Sequence, residues 1–584
     1  MFNTRRIKEV KLNNLYPVYT LKNECHDCYK CIRECHVKAI KIQDNSASVI
    51  DERCIACGHC VTVCPSGAKR VRNDIENVKK LFLQNKKVYV SLAPSWLGVY
   101  NVSKEKMISM LKKLGFEGVS ETALGAQEVS IECARLLNET SENTLFISSA
   151  CPVIVDYIRL YKPNFAKNIV PIVSPALTHA GLLKKTYGDD IAVVFIGPCI
   201  AKKKESDSHQ NLIDVALTFE ELNYWMKEEF ISFNDVEILD DAKFVPEHAY
   251  EGTLYPIEGG MNETIKRVGI KEKEVSLISL SSVKNFDKAL SGLDETKLTR
   301  KIFVEALGCE GGCVNGPCLS TNKGIIAVNA DVLTNTKHRK KVPIEPSVVI
   351  NEQYIPKPVQ KHKYTIEEVE NALNKISKHS QEDELNCSGC GYSTCRDFVN
   401  ALISGDAEPS MCVSYMRKIA VRKAAAMVRC MPAAVVMVDK NLNIMESNDA
   451  FMRMFCGDMY DIFASREEGL AGAAIDRIVP FGDILKSALK SNEDIHKEHY
   501  SVNGKLYDIS AFAIEIDELA GAVITDVTKS EMDREKIARR AREVISKNIA
   551  TVQEIACLLG EHMVETEVLL NSIAKDYENN SDEA

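Results

Sequence analysis

The sequence lacks any apolar run long enough to cross a lipid bilayer; runs such as 191–196 and 433–438 have only the length of buried strands. Its first residues, MFNTRRIKE, lack the apolar core of a secretory signal peptide. Basic residues form no block, and 73 Lys and Arg against 82 Asp and Glu give a formal charge of −9, which argues against a nucleic-acid partner. We therefore expect a cytoplasmic protein with neither a membrane nor a nucleic acid as partner.

Cysteine, in contrast, is abundant, with 21 residues in a chain of 584. No feature of the sequence indicates export, so a disulfide framework is not expected. Sixteen of the cysteines fall into three groups with the spacing of metal-cluster ligands. The others are expected to be buried free thiols; they are Cys133, Cys318, Cys430, Cys456 and Cys557. A chain of this length has room for three to five domains.

Residues 20–72 contain an internal repeat of four cysteines separated by two, two and three residues. This is the spacing of bacterial two-cluster ferredoxins, in which each fourth cysteine binds the other cluster. We expect a ferredoxin-type domain over residues 1–75. One 4Fe-4S cluster is predicted on Cys25, Cys28, Cys31 and Cys64, and the other on Cys35, Cys54, Cys57 and Cys60. Zinc is a weaker alternative because both runs are complete, and we expect His59 to be a spacer.

Short apolar runs alternate with helical stretches between residues 86 and 350. The runs 87–92, 143–148 and 191–196 predict buried parallel strands, and 104–114, 122–138 and 174–187 predict helices. This alternation indicates an α/β domain, in which sites form at the carboxyl ends of strands. Cys151 and Cys199 each follow such a run by a few residues. Ser174 and Pro175 are expected to line the same pocket, and also have the pattern of a helix start.

Three short stretches of this domain contain cysteines beside glycine or proline: SSACP (148–152), GPCIAKKKE (197–205) and EALGCEGGCVNG (305–316). Their four thiols, Cys151, Cys199, Cys309 and Cys313, are the number that a 4Fe-4S cluster takes. Small neighbours allow the backbone to approach a cluster closely and to direct N–H groups at its anionic sulfurs.

The same stretches resemble the three H-cluster motifs of FeFe-hydrogenases. The resemblance implies an H-cluster, which is a 4Fe-4S cubane bridged by Cys313 to a two-iron unit with CO, cyanide and azadithiolate ligands. It also implies that Lys202, in a frame completed by Glu205, donates a hydrogen bond to a cyanide. A buried ammonium beside an anionic cluster is electrostatically reasonable, since either charge alone would be unpaired.

The sequence departs from that family at the expected proton path. Catalytic members have a proton-relaying cysteine where this chain has Ala150, and alanine cannot transfer a proton. Cys133 and Leu136 stand where relay carboxylates are expected. Leu307 and Gly308 replace a usual Met-Ala pair. We therefore expect that the cofactor pocket is retained and that the proton path is interrupted.

Two further modules follow a linker near 351–365. Thr365 and Glu368 form a predicted capping box, and a small helical domain over residues 364–422 contains Cys387, Cys390, Cys395 and Cys412. This spacing resembles a small 4Fe-4S domain found beside redox modules, with a four-cysteine zinc site as the alternative.

Residues 426–528 resemble a PAS domain, with a hairpin turn at Asn503-Gly504. Domains of this kind bind haem, flavin or no ligand, and the sequence leaves the choice open. His496 and His499 are expected at the solvated surface. From 529 to 577 the sequence predicts a long helix with apolar residues three or four apart, as in a dimeric coiled coil: Ile537, Ala541, Val544, Ile549, Val552, Ile555, Leu559 and Met563. A helix packed on its own PAS domain is the alternative. The tail after Tyr577 is expected to be disordered.

The order of these modules resembles the sensory group of FeFe-hydrogenases. The fold expected is multidomain α/β and α+β. The resemblance implies an iron hydrogenase of low turnover that binds and slowly oxidises H2 and relays its redox state through 4Fe-4S clusters to the PAS domain. It also implies homodimers, a separate and unidentified signalling protein, and possible exchange with a ferredoxin-like partner.

Two alternatives stay open. One is a catalytic ferredoxin-linked hydrogenase that evolves or consumes H2 by another proton route, through Cys133 or water. The other is an iron–sulfur scaffold that holds cubanes alone, against which Lys202 argues.

Overall fold

The computed structural model describes residues 15–319, 321–360, 362–466, 469–491 and 493–579, without the side chains of residues 556–565 and 573–579. The chain divides into two compact units, residues 1–416 and 417–584. Among the helices in these ranges, none combines the length and the apolar character needed to cross a bilayer.

The first unit begins with a small module of two antiparallel strand pairs and two short helices. Each helix contains the third cysteine of one run, Cys31 or Cys60. The elements are β1 (Val18–Thr20), α1 (Lys30–Glu34), β2 (Ile40–Gln43), β3 (Ser46–Val49), α2 (His59–Thr62) and β4 (Lys69–Val71). Strand β1 pairs with β4, and β2 pairs with β3.

The central α/β region follows directly. Its first half contains α3 (Ile75–Leu83), β5 (Val88–Leu92), α4 (Trp96–Val99), α5 (Lys104–Lys113), β6 (Gly118–Glu121), α6 (Ala123–Glu139), β7 (Leu145–Ile147), α7 (Pro152–Tyr161) and α8 (Pro175–Tyr187). Its second half contains β8 (Ala192–Gly197), α9 (Ala201–Ser208), β9 (Val215–Thr218), α10 (Phe219–Glu228), α11 (Gly260–Val268), β10 (Val275–Ser281), α12 (Val283–Ala289), β11 (Lys301–Leu307) and α13 (Ile325–Asn335). The three strands and three helices that the sequence predicts here are confirmed to within a few residues.

The strands of this region form two separate parallel sheets. One has the order β6-β5-β8-β9, and the other has the order β10-β11-β7. Strands β5 and β8 are buried along their whole length because helices cover both faces of the first sheet. Each sheet has its own apolar core. The carboxyl ends of strands from both sheets supply the cysteine loops described below.

The rest of the first unit packs against these parts. Residues 351–360 have no helix or strand of their own, but Lys357 and Val359 donate backbone hydrogen bonds to Arg159 and Leu160. The elements that follow are α14 (Ile366–Lys375), α15 (Cys395–Ile403) and α16 (Val413–Cys430), in which the boundary between the two units lies. The predicted capping box of Thr365 and Glu368 is confirmed at the start of α14.

The second unit contains a five-stranded antiparallel sheet and a helix of 52 residues. Its elements are β12 (Ala434–Asp439), β13 (Ile444–Ser447), α17 (Asp449–Phe455), α18 (Tyr460–Ala464), α19 (Gly482–Lys490), β14 (Ile495–Val502), β15 (Lys505–Glu515), β16 (Leu519–Asp526) and α20 (Thr528–Asn579). The sheet order is β13-β12-β16-β15-β14. The hairpin at Asn503-Gly504 joins β14 to β15 as predicted, and the predicted long helix is confirmed. Most of the residues after Tyr577 lie outside the described ranges.

Candidate metal centre

Four cysteines from three loops come together where the two sheets meet. Cys151 follows β7, Cys199 follows β8, and Cys309 and Cys313 follow β11. Burial raises the pKa of the Cys313 thiol, and Cys151 and Cys199 raise it further. The pKa of Cys309 is likewise raised by burial and then by Cys199, Cys313 and Cys151. The four thiols therefore form one group, and a polycation such as an iron–sulfur core offsets their mutual repulsion as thiolates.

Backbone N–H groups point at the same sulfurs. The Gly308 amide donates to Cys151 Sγ over 3.3 Å, and the amides of Ile154 and Val153 also lower the pKa of Cys151 against the effect of burial. Cys199 receives the amides of Lys202 and Ala201 at the start of α9. Both cysteines thus lie at helix N-termini, where the helix dipole and free N–H groups favour a thiolate.

Lys202 faces this group from α9. Its side chain is buried, and its Nζ donates to Ser174 Oγ at 2.8 Å and to Glu205 Oε2 at 2.6 Å. The ammonium lowers the pKa of Cys151, Cys199 and Cys313 alike. Ser174 also directly precedes α8, which begins with Pro175. Ser174 thus contacts Lys202 and stands at a helix start.

Ala150 lies against an apolar wall. It packs on a cluster of buried side chains that includes Ala126, Val129, Cys133 and Met261, with Leu136 at its edge. Burial raises the pKa of the Cys133 thiol strongly, so the thiol stays neutral there. The amide of Ala150 donates to Ser148 Oγ, which in turn donates to Met261 Sδ at 3.1 Å.

Glycine is required twice in the last cysteine loop. A Cβ on Gly308 would stand 2.7 Å from Cγ1 of Val153, so alanine does not fit unless Val153 moves. Gly312 has φ +103°, in the left-handed region, and lies close to the carbonyl oxygen of Pro256.

Glu305 was not predicted as a site residue, although it lies in the cysteine stretch EALGC. Glu305 is 1% exposed on β11. Its carboxylate accepts hydrogen bonds from the amides of Met261 (3.2 Å) and Asn262 (3.4 Å) and from Ser279 Oγ (3.2 Å). Burial is the largest effect and raises its pKa to about 7. A charged residue inside an otherwise buried strand was the available signal.

The N-terminal cysteines form two groups that cross between the two runs. Burial and the neighbouring thiols Cys25, Cys28 and Cys64 raise the pKa of Cys31 to about 11, against the effect of Lys69. Cys60 is raised by burial and by Cys57, Cys54 and Cys35. The structure thus brings Cys64 to the first run and Cys35 to the second. The ring of His59 stacks on His36 at 5.4 Å and faces Glu34, not a cysteine group.

The second N-terminal group adjoins the central one. Cys57 is among the residues that raise the pKa of Cys309, and Ile55 and Ala56 belong to the same apolar cluster as Cys151 and Ala201. The module is also fixed by ion pairs of Arg72 with Asp207 and of the buried Lys203 with Asp74. Both pairs join the end of the N-terminal module to α9.

The cysteines at 387–412 also form a group, and they adjoin the N-terminal module. Cys387 and Cys412 raise the pKa of Cys390 beyond the effect of burial, and Cys395 and Cys412 are buried. The cluster that contains Phe398 and Val399 also contains Cys31 and Ile40. Lys38 lies between the groups. Its pKa is lowered by burial and raised by Cys35, Glu34 and Cys390.

The cysteines outside the three groups, and the two histidines of residues 426–528, differ in their exposure to solvent. Cys133 and Cys318 are buried, as predicted, and Cys456 is partly so. The prediction is wrong for Cys430, which is exposed because it ends α16, where the side chains stand in solvent. Cys557 lies outside the described side chains. His496 and His499 are exposed, as predicted.

Three family models match the chain. Residues 86–317 match "Iron only hydrogenase large subunit, C-terminal domain", residues 24–68 match "4Fe-4S dicluster domain", and residues 383–414 match "Putative Fe-S cluster". These ranges contain all sixteen predicted ligand cysteines.

Characterised hydrogenases are among the similar proteins. Iron hydrogenase 1 of Clostridium pasteurianum is 26% identical over 366 residues, which span 50% of this chain and 63% of that protein. The NADP-reducing hydrogenase subunit HndD of Solidesulfovibrio fructosivorans is 26% identical over 331 residues, 46% of this chain and 56% of that one. A solved [FeFe]-hydrogenase HydA1 from Chlamydomonas reinhardtii, 18% identical with a TM-score of 0.38, covers 47% of this chain and 95% of its own. By its family matches and the two hydrogenases of known sequence, the chain is an iron–sulfur protein similar to the FeFe-hydrogenases, with a region like the C-terminal domain of their large subunit and with 4Fe-4S ferredoxin-like regions.

Proposed function

We propose that this protein binds H2 and oxidises it slowly at a centre held by Cys151, Cys199, Cys309 and Cys313, and that it reports the resulting redox state to a signalling domain. One observation carries the proposal. Lys202 is fixed against the four thiols, as an H-cluster requires, while Ala150 stands in an apolar wall where a proton relay would begin.

The residues present fit an H-cluster. Four thiols match a cubane, and Cys313 would also hold the two-iron unit. An ammonium has three N–H donors; Ser174 and Glu205 accept two of them, and we assign the third to a cyanide ligand. When bound, the two-iron unit supplies the site at which H2 is split, with its azadithiolate amine as base.

The chain's own residues then decide how fast protons leave. Ala150 cannot accept a proton, and Cys133 is held neutral in the same apolar cluster. Slow proton exchange suits a sensor, because the output depends on how long H2-derived states are occupied rather than on flux.

Electrons have a continuous set of neighbouring groups to follow. We assign one 4Fe-4S cluster to Cys25, Cys28, Cys31 and Cys64, a second to Cys35, Cys54, Cys57 and Cys60, and a third to Cys387, Cys390, Cys395 and Cys412. The second adjoins the central group through Cys57 and Cys309, and it adjoins the third through Lys38. The third cluster also adjoins the first, because Cys31 shares its apolar surroundings with Cys395 and Cys412.

The output is assigned to the second unit. Its five-stranded antiparallel sheet with flanking helices supports a PAS domain over residues 426–528, followed by a signalling helix. Cys412 directly precedes α16, so a redox change at the third cluster acts on the helix that leads to this unit. A separate protein would receive the signal from a two-state element of this kind.

The test is H2 uptake and evolution by anaerobically matured protein, compared with Ala150→Cys and with Ala150→Ser as the control of similar size. Infrared bands of CO and cyanide establish equal cofactor loading. A slow wild type and a clearly faster cysteine variant are expected. A wild type that is already fast, with no gain from cysteine, would contradict the sensor proposal.

A catalytic, ferredoxin-linked hydrogenase is the second candidate, and Glu305 favours it. A buried carboxyl that titrates near neutrality close to Cys313 would replace the interrupted path if its proton exchange were fast. The same assay separates the two, since the catalytic protein is fast without a cysteine at position 150. A scaffold for cubanes alone would give no CO or cyanide bands.

A further inference from the structure

Glu305 is held at the junction of three elements beside the central cysteines. It lies on β11 opposite Ser279 of β10, and the first turn of α11 directs the Met261 and Asn262 amides at its carboxylate. Cys313, four residues beyond Cys309 in the loop after β11, has Glu305 among the groups that raise its thiol pKa. Glu305 is therefore an ionisable group close to the cysteine assigned as the bridge.

The groups that face Glu305 have opposing effects on the pKa of its carboxyl. Burial disfavours the carboxylate, and repulsion from Glu258 adds to this effect. The two amides and the Ser279 hydroxyl favour the carboxylate. Tyr255 is also close enough for Glu305 to raise its pKa. The balance brings the pKa of Glu305 to about 7, near the operating pH, where a group transfers protons in either direction most effectively.

Two serines of β10, Ser279 and Ser281, and the exposed Glu258 supply further polar groups on this side of Glu305. Ser279 donates to Glu305 and accepts from Asn262 Nδ2 at 2.8 Å. Ser281, two residues along β10 and hence on the same face, donates to Glu258 Oε2 at 2.5 Å and accepts from the Gly311 amide at 3.0 Å. Glu258 itself is exposed.

We propose that Glu305 is the proton-relay residue of this centre and that Glu258 exchanges its proton with solvent. The inference rests on the proposed function. Oxidation of one H2 releases two protons and two electrons. The electrons pass to the 4Fe-4S clusters and then to an added dye. Each proton converts the Glu305 carboxylate to the acid, and the acid returns to the carboxylate by passing its proton to Glu258, which lies close enough to repel the Glu305 carboxylate.

A purely structural role for Glu305 is to anchor the start of α11. Glu305→Gln separates the two roles, because its amide oxygen still accepts from Met261 and its NH2 can donate to Ser279, but it cannot transfer a proton. Glu258→Gln changes an exposed residue and provides the test if the buried variant does not fold. Glu263→Gln is the matched control, since Glu263 is exposed on α11 and faces Arg267 instead.

The experiment measures H2/D2O exchange against pH in matured wild type and the three variants, normalised to the CO and cyanide bands. Glu305→Gln is expected to slow exchange about tenfold or more and to remove an inflection near pH 7. Glu258→Gln is expected to slow it severalfold, and Glu263→Gln not at all. Wild-type rates and pH profile in Glu305→Gln, or equal losses in Glu258→Gln and Glu263→Gln, would overturn the relay.

A second readout does not need turnover. In protein that carries only its 4Fe-4S clusters, the infrared C=O band of a buried carboxylic acid is expected to appear below about pH 7 and to be missing from Glu305→Gln. Identical spectra would refute the relay while leaving the proposed function intact. If no sample forms CO and cyanide bands, the proposed function fails and the relay fails with it.

Discussion

The Lys202 ammonium lies 2.6 Å from the Glu205 carboxylate, one helical turn along α9, and both side chains are only 10% exposed. A buried pair of this kind is a poor source of stability, because desolvation offsets most of its attraction. The pair instead positions the Lys202 ammonium. Glu205 and Ser174 fix the ammonium against Cys151, Cys199 and Cys313, where a neutral or mobile side chain would leave the centre without its cation.

Replacement of Lys202 by methionine is therefore expected to prevent stable insertion of the two-iron unit while leaving the cubanes in place. The physical reason is that methionine retains the length of the side chain but loses the charge and the donors. Infrared CO and cyanide bands measure the two-iron unit, and iron content and electron paramagnetic resonance measure the cubanes. Lys185→Met is the control, since Lys185 is exposed on α8 and donates to the carbonyl of Ser347 instead. Full-intensity bands in the Lys202 variant would contradict the assignment.

We expect Lys38 to raise the reduction potentials of two 4Fe-4S clusters, the second and the third. Its Nζ donates to the carbonyls of Ile32 and Arg33 and acts on Cys35 and Cys390. Removal of a nearby positive charge makes reduction harder, so Lys38→Met should lower both potentials. A shift of about 60 mV corresponds to about 1.4 kcal/mol for one electron.

A redox titration followed by electron paramagnetic resonance measures those shifts, with Lys41→Met on the neighbouring strand β2 as control. Shifts confined to one cluster would show that Lys38 does not link the two. Equal shifts in both variants would attribute the effect to net charge alone.

His179 makes the first sheet sensitive to acid. Its ring is fully buried between Ser91 of β5 (2.7 Å) and Ser120 of β6 (2.8 Å), and burial lowers its pKa from 6.5 to about 3. The folded pKa lies below the unfolded value, so the contribution is complete above about pH 6.5 and is lost as the pH falls. The loss by pH 5 is on the order of 2 kcal/mol.

Denaturant unfolding at about pH 8 and pH 5 measures this contribution. Both tryptophans, Trp96 and Trp225, belong to the core of that sheet and report on it. The stability advantage of wild type over His179→Gln is expected to shrink by about 2 kcal/mol between the two pH values. Parallel pH dependence in the two proteins would mean that His179 does not titrate on unfolding.

Local patterns predicted the elements of this protein better than their assembly. The Thr365 capping box, the Asn503-Gly504 hairpin and the strand before Cys199 depend on neighbouring residues, and each was found where the sequence placed it. The division of the strands into two sheets was not predictable in this way, because the pairing of β7 with β11 joins segments more than 150 residues apart.

The candidate site shows the same limit. Cysteine spacing and family resemblance were sufficient to nominate the thiols, Lys202 and Ala150. They did not identify Glu305, whose significance comes from Ser279, Met261 and Glu258 on other segments. Nor did they place Lys38 beside Cys390, since that contact depends on how the domain at 387–412 packs on the N-terminal module.

The long helix α20 is expected to dimerise with a second copy of the chain. Ile545, Val552 and Ile555 recur at coiled-coil spacing and are each more than half exposed. Their burial against a partner helix removes apolar surface from water. Val552→Lys places a charge in this seam and is expected to yield monomers in sedimentation experiments. Gln553→Lys, about 100° further round the helix, adds the same charge and should leave the dimer intact. A monomeric wild type, or a Val552→Lys protein that still dimerises, would exclude this seam as the interface.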